Sequence, residues 1–281
     1  MSDPAVIATP AAMTAWSEAA RAAGQRVALV PTLGYLHAGH ASLIEEARRR
    51  ADRVVVSIFV NPTQFGPNED LARYPRDLPG DLARAGRAGA EVAFVPEAAA
   101  LYPPGYQTYV EVRELQQGLC GDRRPGHFVG VATIVLKLLN IVRPQLVMFG
   151  DKDFQQLAVV KRMVADLNVP VEVVPLPTVR EADGLAMSSR NVYLSPADRA
   201  RAGALYRGLT AARARREAGE VAAGALLAAA SAEILPQVDR LDYLELRDAA
   251  TLAPLAAADR PAVMVVAAFV GGTRLIDNLR I

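Results

Sequence analysis

Apolar runs of strand length alternate with helical patterns along the first two-thirds of the chain. The runs at 26–31 (RVALVP) and 53–60 (RVVVSIFV) are continuous, which is typical of strands buried on both faces of a parallel sheet. Between them, 41–50 (ASLIEEARRR) places apolar residues at helical spacing with charges on the opposite face. The alternation continues with strands at 91–95, 145–149 and 171–174 and helices near 80–88, 130–141 and 153–168. This order predicts a parallel sheet with right-handed crossovers.

Residues 1–178 are therefore predicted to form a doubly wound, Rossmann-like α/β domain. After Pro177 the pattern changes, because 195–230 opens with Ser-Pro and continues as an alanine-rich helix. Strands are predicted at 241–247, 262–270 and 273–278, and Gly271-Gly272 between the last two is a strong signal for a two-residue hairpin. Residues 179–281 are predicted to form a smaller C-terminal α+β domain.

Composition narrows the class of protein. Of 281 residues, 52% are hydrophobic and 22% charged, which is a globular profile. Lys+Arg total 31 against 30 Asp+Glu, so the net charge of +1 argues against nucleic-acid or membrane-surface partners. The single cysteine, Cys120, cannot form an internal disulfide, no signal peptide is visible, and no apolar stretch is long enough to span a bilayer. We expect a cytoplasmic protein.

The most informative segment is PTLGYLHAGH at 31–40, between a predicted buried strand and a helix. Ligands of open α/β sheets bind at the carboxyl ends of strands, where helix N-termini attract phosphate. Gly34 permits a tight turn and Gly39 a close approach of an oxygen to the backbone. His37 and His40 are three residues apart, so on a helical turn they face the same side and can donate hydrogen bonds to phosphate.

Two alternatives stay open at this segment. It could be a capping loop with two solvated histidines. The His37/His40 spacing also suits a zinc site completed by Cys120 and His127, although no carboxylate suited to act as a general base stands beside the pair.

Three further segments carry polar side chains. At 61–67 (NPTQFGP), Asn61 and Gln64 can both donate and accept hydrogen bonds, although an ordinary turn would look similar. At 150–156 (GDKDFQQ), Lys152 supplies a point charge for phosphate, although a capping Asp beside a surface Lys would also account for it. At 187–190, MSSR could close over a triphosphate, or form an ordinary turn.

Taken together, PTLGYLHAGH, SIFVNPTQFGPNEDLARYPRD, RPGHFVGVATIVLKLLNIVRPQ, FGDKDFQQL and MSSRN resemble the pantoate–β-alanine ligases (pantothenate synthetase family) of the HIGH nucleotidyltransferase superfamily. The resemblance covers nearly the whole chain. Gly80 stands where the family carries an acid, so no metal role is assigned to the neighbouring Asp81.

The resemblance implies an ATP-dependent ligase that joins pantoate to β-alanine through an enzyme-bound pantoyl adenylate, with Mg²⁺, as a homodimer. It implies His40 as the catalytic proton donor and substrate contacts from Gln64 and Gln156. Because charge grows on the phosphate oxygens in such a reaction, we also expect catalytic roles for His37 and Lys152. The ATP-binding residues that it implies are Leu33, Gly34, Tyr35, Leu36, His37, Ala38, Gly39, His40, Gly150, Asp151, Lys152, Asp153, Val179, Met187, Ser188, Ser189 and Arg190.

Two other functions remain open from the residues themselves. One is a small nucleotidyltransferase of the same superfamily that stops after adenylyl transfer. The other is an RNA-binding module related to synthetase catalytic domains, against which the neutral charge balance argues.

Overall fold

The computed structural model describes residues 3–281, so residues 1 and 2 of the predicted first domain lie outside the described part. The chain forms two compact units. The first unit contains the residues up to Asp151 together with Gln156–Pro177, and the second contains Lys152–Gln155 and Thr178–Ile281.

The first unit is built on a six-stranded sheet in which every pairing is parallel. Strands β1 to β6 span Ala5–Ile7, Val27–Thr32, Arg53–Ile58, Val92–Phe94, Leu146–Gly150 and Glu172–Leu176, in the spatial order β1-β4-β3-β2-β5-β6. Nearly every side chain of β2 and β3 is buried, as their uninterrupted apolar sequences predict. The Rossmann-like fold class is confirmed.

Helices α1 to α7 connect these strands and span Pro10–Ala22, Ala38–Arg50, Leu78–Ala88, Ala98–Leu101, Leu119–Arg123, His127–Val142 and Phe154–Asp166. The sequence patterns missed β1 and α1. Strand β1 has only three residues and buries none of them fully, so it carries no apolar run. Helix α1 does have a start signal, since the Thr9 hydroxyl accepts a hydrogen bond from the backbone N–H of Ala12 and Pro10 follows it.

The strand order reverses between β2 and β5, which is where open α/β sheets bind ligands. β2 pairs with β3 along its whole length, but with β5 only at Ala28 and Leu29. The residues of β2 beyond Leu29 are therefore not paired with β5, and the sheet opens at its carboxyl edge between the loops that follow these two strands.

The second unit packs three helices, α8 (Pro196–Ala202), α9 (Ala204–Glu217) and α10 (Ala223–Ile234), with an antiparallel sheet of β7 (Arg240–Asp248), β8 (Ala262–Val270) and β9 (Thr273–Arg280). The single helix predicted over 195–230 is thus three helices. Gly203 lies between the first two, and Gly219, with φ +99°, follows the end of α9. The predicted hairpin is present, with Gly271 and Gly272 both at positive φ. None of the helices within 3–281 combines the length and apolar character needed to cross a membrane.

Candidate active site

The loop from β2 to α2 is held in a defined shape by hydrogen bonds at its start. The Thr32 hydroxyl donates to the carbonyl oxygen of Ser57 at 2.7 Å and accepts from the backbone N–H of Gly34 at 3.2 Å. Gly34 and Tyr35 both have positive φ, at +91° and +52°. Such a conformation is unfavourable for tyrosine and persists only where neighbouring groups fix it.

A buried carboxylate on α3 fixes this loop. Asp81 is 3% exposed, and its two oxygens accept hydrogen bonds from the backbone N–H groups of Tyr35, at 2.8 Å, and Leu36, at 2.6 Å. Burial raises the pKa of the Asp81 carboxyl, although these two hydrogen bonds act in the opposite direction. A Cβ on Gly34 would lie 3.1 Å from Asp81 Oδ2, so the glycine allows the carboxylate its close approach.

The two histidines of the loop lie side by side at the start of α2, with ring centroids 4.1 Å apart. His37 caps the helix, its Nδ1 accepting from the N–H of Gly39 at 3.1 Å, and His40 Nδ1 accepts from the N–H of His37 at 3.3 Å. Because each Nδ1 accepts a backbone hydrogen bond, each neutral ring carries its proton on Nε2. The site therefore presents two Nε2–H donors beside a helix N-terminus.

Gln64 is positioned by the turn that follows β3. Asn61 is completely buried, and its Nδ2 donates to Gln64 Oε1 at 3.1 Å and to the carbonyl oxygen of Gly130 at 3.2 Å. The Tyr102 hydroxyl donates to Asn61 Oδ1 at 2.9 Å, which fixes the orientation of the Asn61 amide. Because Asn61 binds the oxygen of the Gln64 side chain, the Gln64 amide nitrogen is the group available to donate to a ligand.

A charged network supports the backbone of the same turn. Arg124 donates to both carboxylate oxygens of Glu69, at 2.7 and 2.6 Å, and contacts His127 Nε2 at 3.0 Å. The other ring nitrogen of His127 donates to the carbonyl oxygen of Gln64 at 2.9 Å. Burial acts to raise the pKa of Glu69, but its pairing with Arg124 outweighs burial and holds that pKa below its ordinary value.

This network also bears on the zinc alternative. Both ring nitrogens of His127 bond to protein groups, and Cys120 is a buried residue of α5. Among residues 3–281, His, Cys, Asp and Glu side chains form no group of three or more that could hold a metal ion. The described part of the chain thus offers no ligand cluster for zinc.

The loop after β5 lies at the same edge of the sheet. Gly150 ends this strand and Asp151 follows it. A Cβ on Gly150 would meet no atom within 4 Å, so the glycine leaves open space beside the backbone. The structure therefore places three of the predicted segments, those following β2, β3 and β5, at the carboxyl ends of adjacent parallel strands. Gln156 belongs to α7.

The remaining predicted residues belong to the second unit. Lys152 Nζ lies 3.6 Å from Asp153 Oδ2. Val179 and Met187 face each other in a short hairpin, where the N–H of Met187 donates to the carbonyl oxygen of Val179 at 3.0 Å. Ser188 Oγ accepts from the N–H of Arg190 at 3.2 Å, which begins a 3₁₀ turn that includes Ser189.

Sequence reasoning missed the residues that hold these groups in place. Asp81 was left without a role, and Asn61 was singled out only as an amide that could face a ligand. Arg124 and His127 carried a visible signal, the R-P-G-H spacing within the family block. Asp81 carried none, because only the packing of α3 brings it to the loop.

Comparison with known proteins identifies the family. Residues 5–280 match the family model described as Pantoate-beta-alanine ligase. The chain belongs to this family. The resemblance seen in the motifs and the ligase class that it implied are confirmed.

Pantoate–β-alanine ligases of known sequence and structure match along their whole length. The pantothenate synthetase of Myxococcus xanthus is 56% identical, covering 99% of this chain and 96% of its own, and that of Geobacter sulfurreducens is 54% identical, covering 97% of each. The crystal structure of the Thermus thermophilus pantothenate synthetase superposes with a TM-score of 0.93 at 47% identity, covering 98% of both chains. The Francisella tularensis ligase, solved in complex with β-γ ATP and β-alanine, has a TM-score of 0.83 at 32% identity, covering 98% of this chain and 97% of its own.

Proposed function

We propose that this chain condenses pantoate with β-alanine to pantothenate at the expense of ATP, releasing AMP and pyrophosphate through an enzyme-bound pantoyl adenylate. The observation that carries the proposal is the full-length match to pantoate–β-alanine ligases together with the paired His37 and His40 at the opened carboxyl edge of the sheet. The carboxylate of pantoate must be activated before it can form an amide. An amine cannot displace an oxygen from a free carboxylate, so that oxygen must first be joined to a better leaving group.

In the first step a carboxylate oxygen of pantoate attacks the α-phosphorus of ATP, and the bond to pyrophosphate breaks. Negative charge grows on the phosphate oxygens as this happens. The Nε2–H groups of His37 and His40, the N-terminus of α2 and the ammonium of Lys152 stabilise that charge. His40, as proton donor, donates its Nε2–H in a hydrogen bond to the phosphate oxygen on which the charge develops, and the proton stays on the ring because the neutral imidazole has no second proton.

In this proposal ATP is bound by several loop segments, and pantoate is bound by two side-chain amides. Gln64 and Gln156 bind pantoate, and Gln64 also reaches β-alanine. The ATP-binding residues are the loop and first helical turn from Leu33 to His40, the β5 exit from Gly150 to Asp153, Val179, and Met187 to Arg190. The orientation of Gln64 by Asn61 supports its part, since it leaves the amide nitrogen to donate to a substrate oxygen.

In the second step the neutral amine of β-alanine attacks the acyl carbon of the adenylate. The new C–N bond replaces the C–O bond to the phosphate, AMP leaves, and the amine loses a proton. No covalent enzyme intermediate is required. Because acyl adenylates react readily with water, the segment from Met187 to Arg190 shields the intermediate until the amine arrives.

Mg²⁺ is the metal ion that the family resemblance implies for the nucleotide. The residues described here fit such an ion, because Mg²⁺ in phosphate-transfer sites is held by substrate oxygens and water with only one or two carboxylates. Asp153, partly exposed and next to Lys152, can supply one carboxylate. When bound, the ion would neutralise part of the phosphate charge. A homodimer and a cytoplasmic location also belong to the proposal, on the strength of the family resemblance.

The decisive experiment is exchange of labelled pyrophosphate into ATP with pantoate present and β-alanine absent. We expect exchange that depends on pantoate, followed by release of pantothenate once β-alanine is added. His40→Ala should abolish most of the exchange. Adenylyl transfer without amide formation would identify a nucleotidyltransferase, and amide synthesis without any exchange would contradict the adenylate.

A further inference from the structure

Asn278 of β9 holds the backbone of Lys152, although the two residues are 126 positions apart in sequence. Its Nδ2 donates to the carbonyl oxygen of Lys152 at 2.9 Å, and the Asn278 side chain is buried with the residue only 7% exposed. Both residues belong to the second unit. Lys152 lies in a single 3₁₀ turn, Asp151–Asp153, which is too short to fix its own position.

The neighbouring residue of β9 holds a second segment. Asp277, 3% exposed, accepts hydrogen bonds from both terminal nitrogens of Arg180, at 2.6 and 2.9 Å. The Arg180 guanidinium stacks on the ring of Tyr206 at 3.9 Å and donates to the carbonyl oxygen of Gly184 at 3.0 Å. The ion pair therefore holds the hairpin that begins at Arg180.

That hairpin leads directly into the segment from Met187 to Arg190. Arg180 bridges Ala186 across it, and the Asn191 amide donates to Glu181 Oε1 at 3.0 Å and to the carbonyl oxygen of Ala186 at 3.2 Å. The Met187–Arg190 segment is thus held at both of its ends, by the bridge between Arg180 and Ala186 before it and by the Asn191 amide after it.

The strand that carries both anchors is itself rigid. Asp277 and Asn278 are paired in register with Val266 and Val265 of β8, a strand that is buried along almost its whole length. A buried ion pair adds little stability compared with apolar packing of the same volume. Stability alone therefore does not account for a charged residue and an amide at these two positions.

We propose that Asp277 and Asn278 are positioning residues that set the placement of Lys152 and of the Met187–Arg190 segment from one rigid strand. The inference rests on the proposed function, because only the proposed function assigns Lys152 and the Met187–Arg190 segment to nucleotide binding. Neither Asp277 nor Asn278 touches substrate; each acts through the group that it binds.

The test uses the full-length enzyme and the pantoate-dependent exchange reaction. Asn278→Ala removes the donor to the Lys152 carbonyl, and displacing a catalytic group by about 1 Å can cost ~100-fold in rate. We expect a ~10–100-fold fall in the exchange rate at saturating ATP. The matched control is Asp242→Asn, which weakens the partly buried ion pair with Arg274 in the same three-stranded sheet. It should keep wild-type exchange with an equal or larger loss of melting temperature.

A double-mutant cycle with Lys152→Ala separates positioning from general damage. If Asn278 acts through Lys152, then Asn278→Ala should change the rate less than ~3-fold in the Lys152→Ala background, because residues that act as a unit are not additive. Full additivity would overturn the inference, as would wild-type exchange in a folded Asn278→Ala enzyme. Asn278→Asp, which keeps the shape of the side chain, provides the same comparison should the alanine variant fail to fold.

The outcomes also separate this inference from the proposed function. Wild-type exchange in Lys152→Ala would remove Lys152 from the reaction and contradict the proposed site itself. A strong defect in Lys152→Ala, with none in Asn278→Ala or Asp277→Asn, would leave the proposed site intact and overturn only the positioning role.

Discussion

Asp81 Oδ1 lies 2.6 Å from the backbone nitrogen of Leu36, so the helix that follows β3 determines the shape of the loop that follows β2. The second carboxylate oxygen binds the N–H of Tyr35, a residue at positive φ. Two successive amides of the loop are therefore fixed by one buried carboxylate, and the two histidines follow immediately. Asp81 therefore has a direct effect on the geometry of the site, although it has no assigned role in the reaction.

Asp81→Asn should impair catalysis more than it impairs folding. A carboxamide offers only one acceptor oxygen, so one of the two loop amides loses its partner and the histidines shift. We expect kcat/KM for ATP to fall ~10–100-fold, measured by steady-state kinetics. Asp77→Ala is the control, because Asp77 caps the same helix through the N–H of Gly80, and its loss should cost about 1 kcal/mol of stability while leaving the rate unchanged. Equal kinetic defects in both variants would count against the role of Asp81.

His40→Asn should distinguish the role of Nδ1 of His40 from the role of its Nε2–H. The asparagine oxygen can replace Nδ1 as acceptor for the N–H of His37, so the start of α2 remains capped. The Nε2–H donor is lost, and the loss of one such donor typically costs ~100-fold in kcat. We expect kcat to fall by about that factor with little change in melting temperature. A variant with near wild-type kcat would show that His40 serves only as a cap.

Gly130→Ala should weaken pantoate binding through the turn that carries Gln64. A Cβ at position 130 would lie 2.3 Å from the carbonyl oxygen of Thr63, a backbone atom that cannot move without moving the turn. We expect KM for pantoate to rise ~10-fold or more, because small displacements of a binding group are costly. Gly224→Ala is the matched control, since Gly224 lies in helix α10 with nothing within 4 Å of the added carbon. It should be neutral or slightly stabilising.

Glu69→Gln should reduce the acid sensitivity of the fold. The pKa of Glu69 lies below its ordinary value of 4.5 in the folded protein. As the pH falls, the Glu69 carboxylate is therefore protonated at a higher pH in the unfolded chain than in the folded protein. The stabilisation from Glu69 is therefore present above pH 4.5 and is lost as the pH falls through the folded-state pKa. Urea unfolding between about pH 3 and pH 6 should show wild type losing more stability than the variant as the pH falls. Parallel curves would refute the assignment.

Much of the architecture follows from local sequence. The uninterrupted apolar runs of β2, β3 and β8 can only be buried, and the alternation of the first two runs with amphipathic helices sets the parallel sheet. Gly271-Gly272 specifies its turn by backbone freedom alone. The breaks within 195–230 were harder to predict, because alanine favours helix everywhere and tertiary packing decides where each helix ends.

In the candidate site, too, some features follow from the sequence and others only from the tertiary structure. The sequence by itself determined the family, because several long motifs occur in the family's order along nearly the whole chain. The residues proposed to face a phosphate also come from the sequence, and their roles stay a prediction. Only the tertiary structure decided which groups hold them: Asp81 for the loop, Asn61 for Gln64, and the Asp277-Asn278 pair for Arg180 and Lys152. The physical reason is that a hydrogen bond to a backbone amide or carbonyl places no demand on the identity of the residue it reaches. Its geometry exists only once distant elements have packed together.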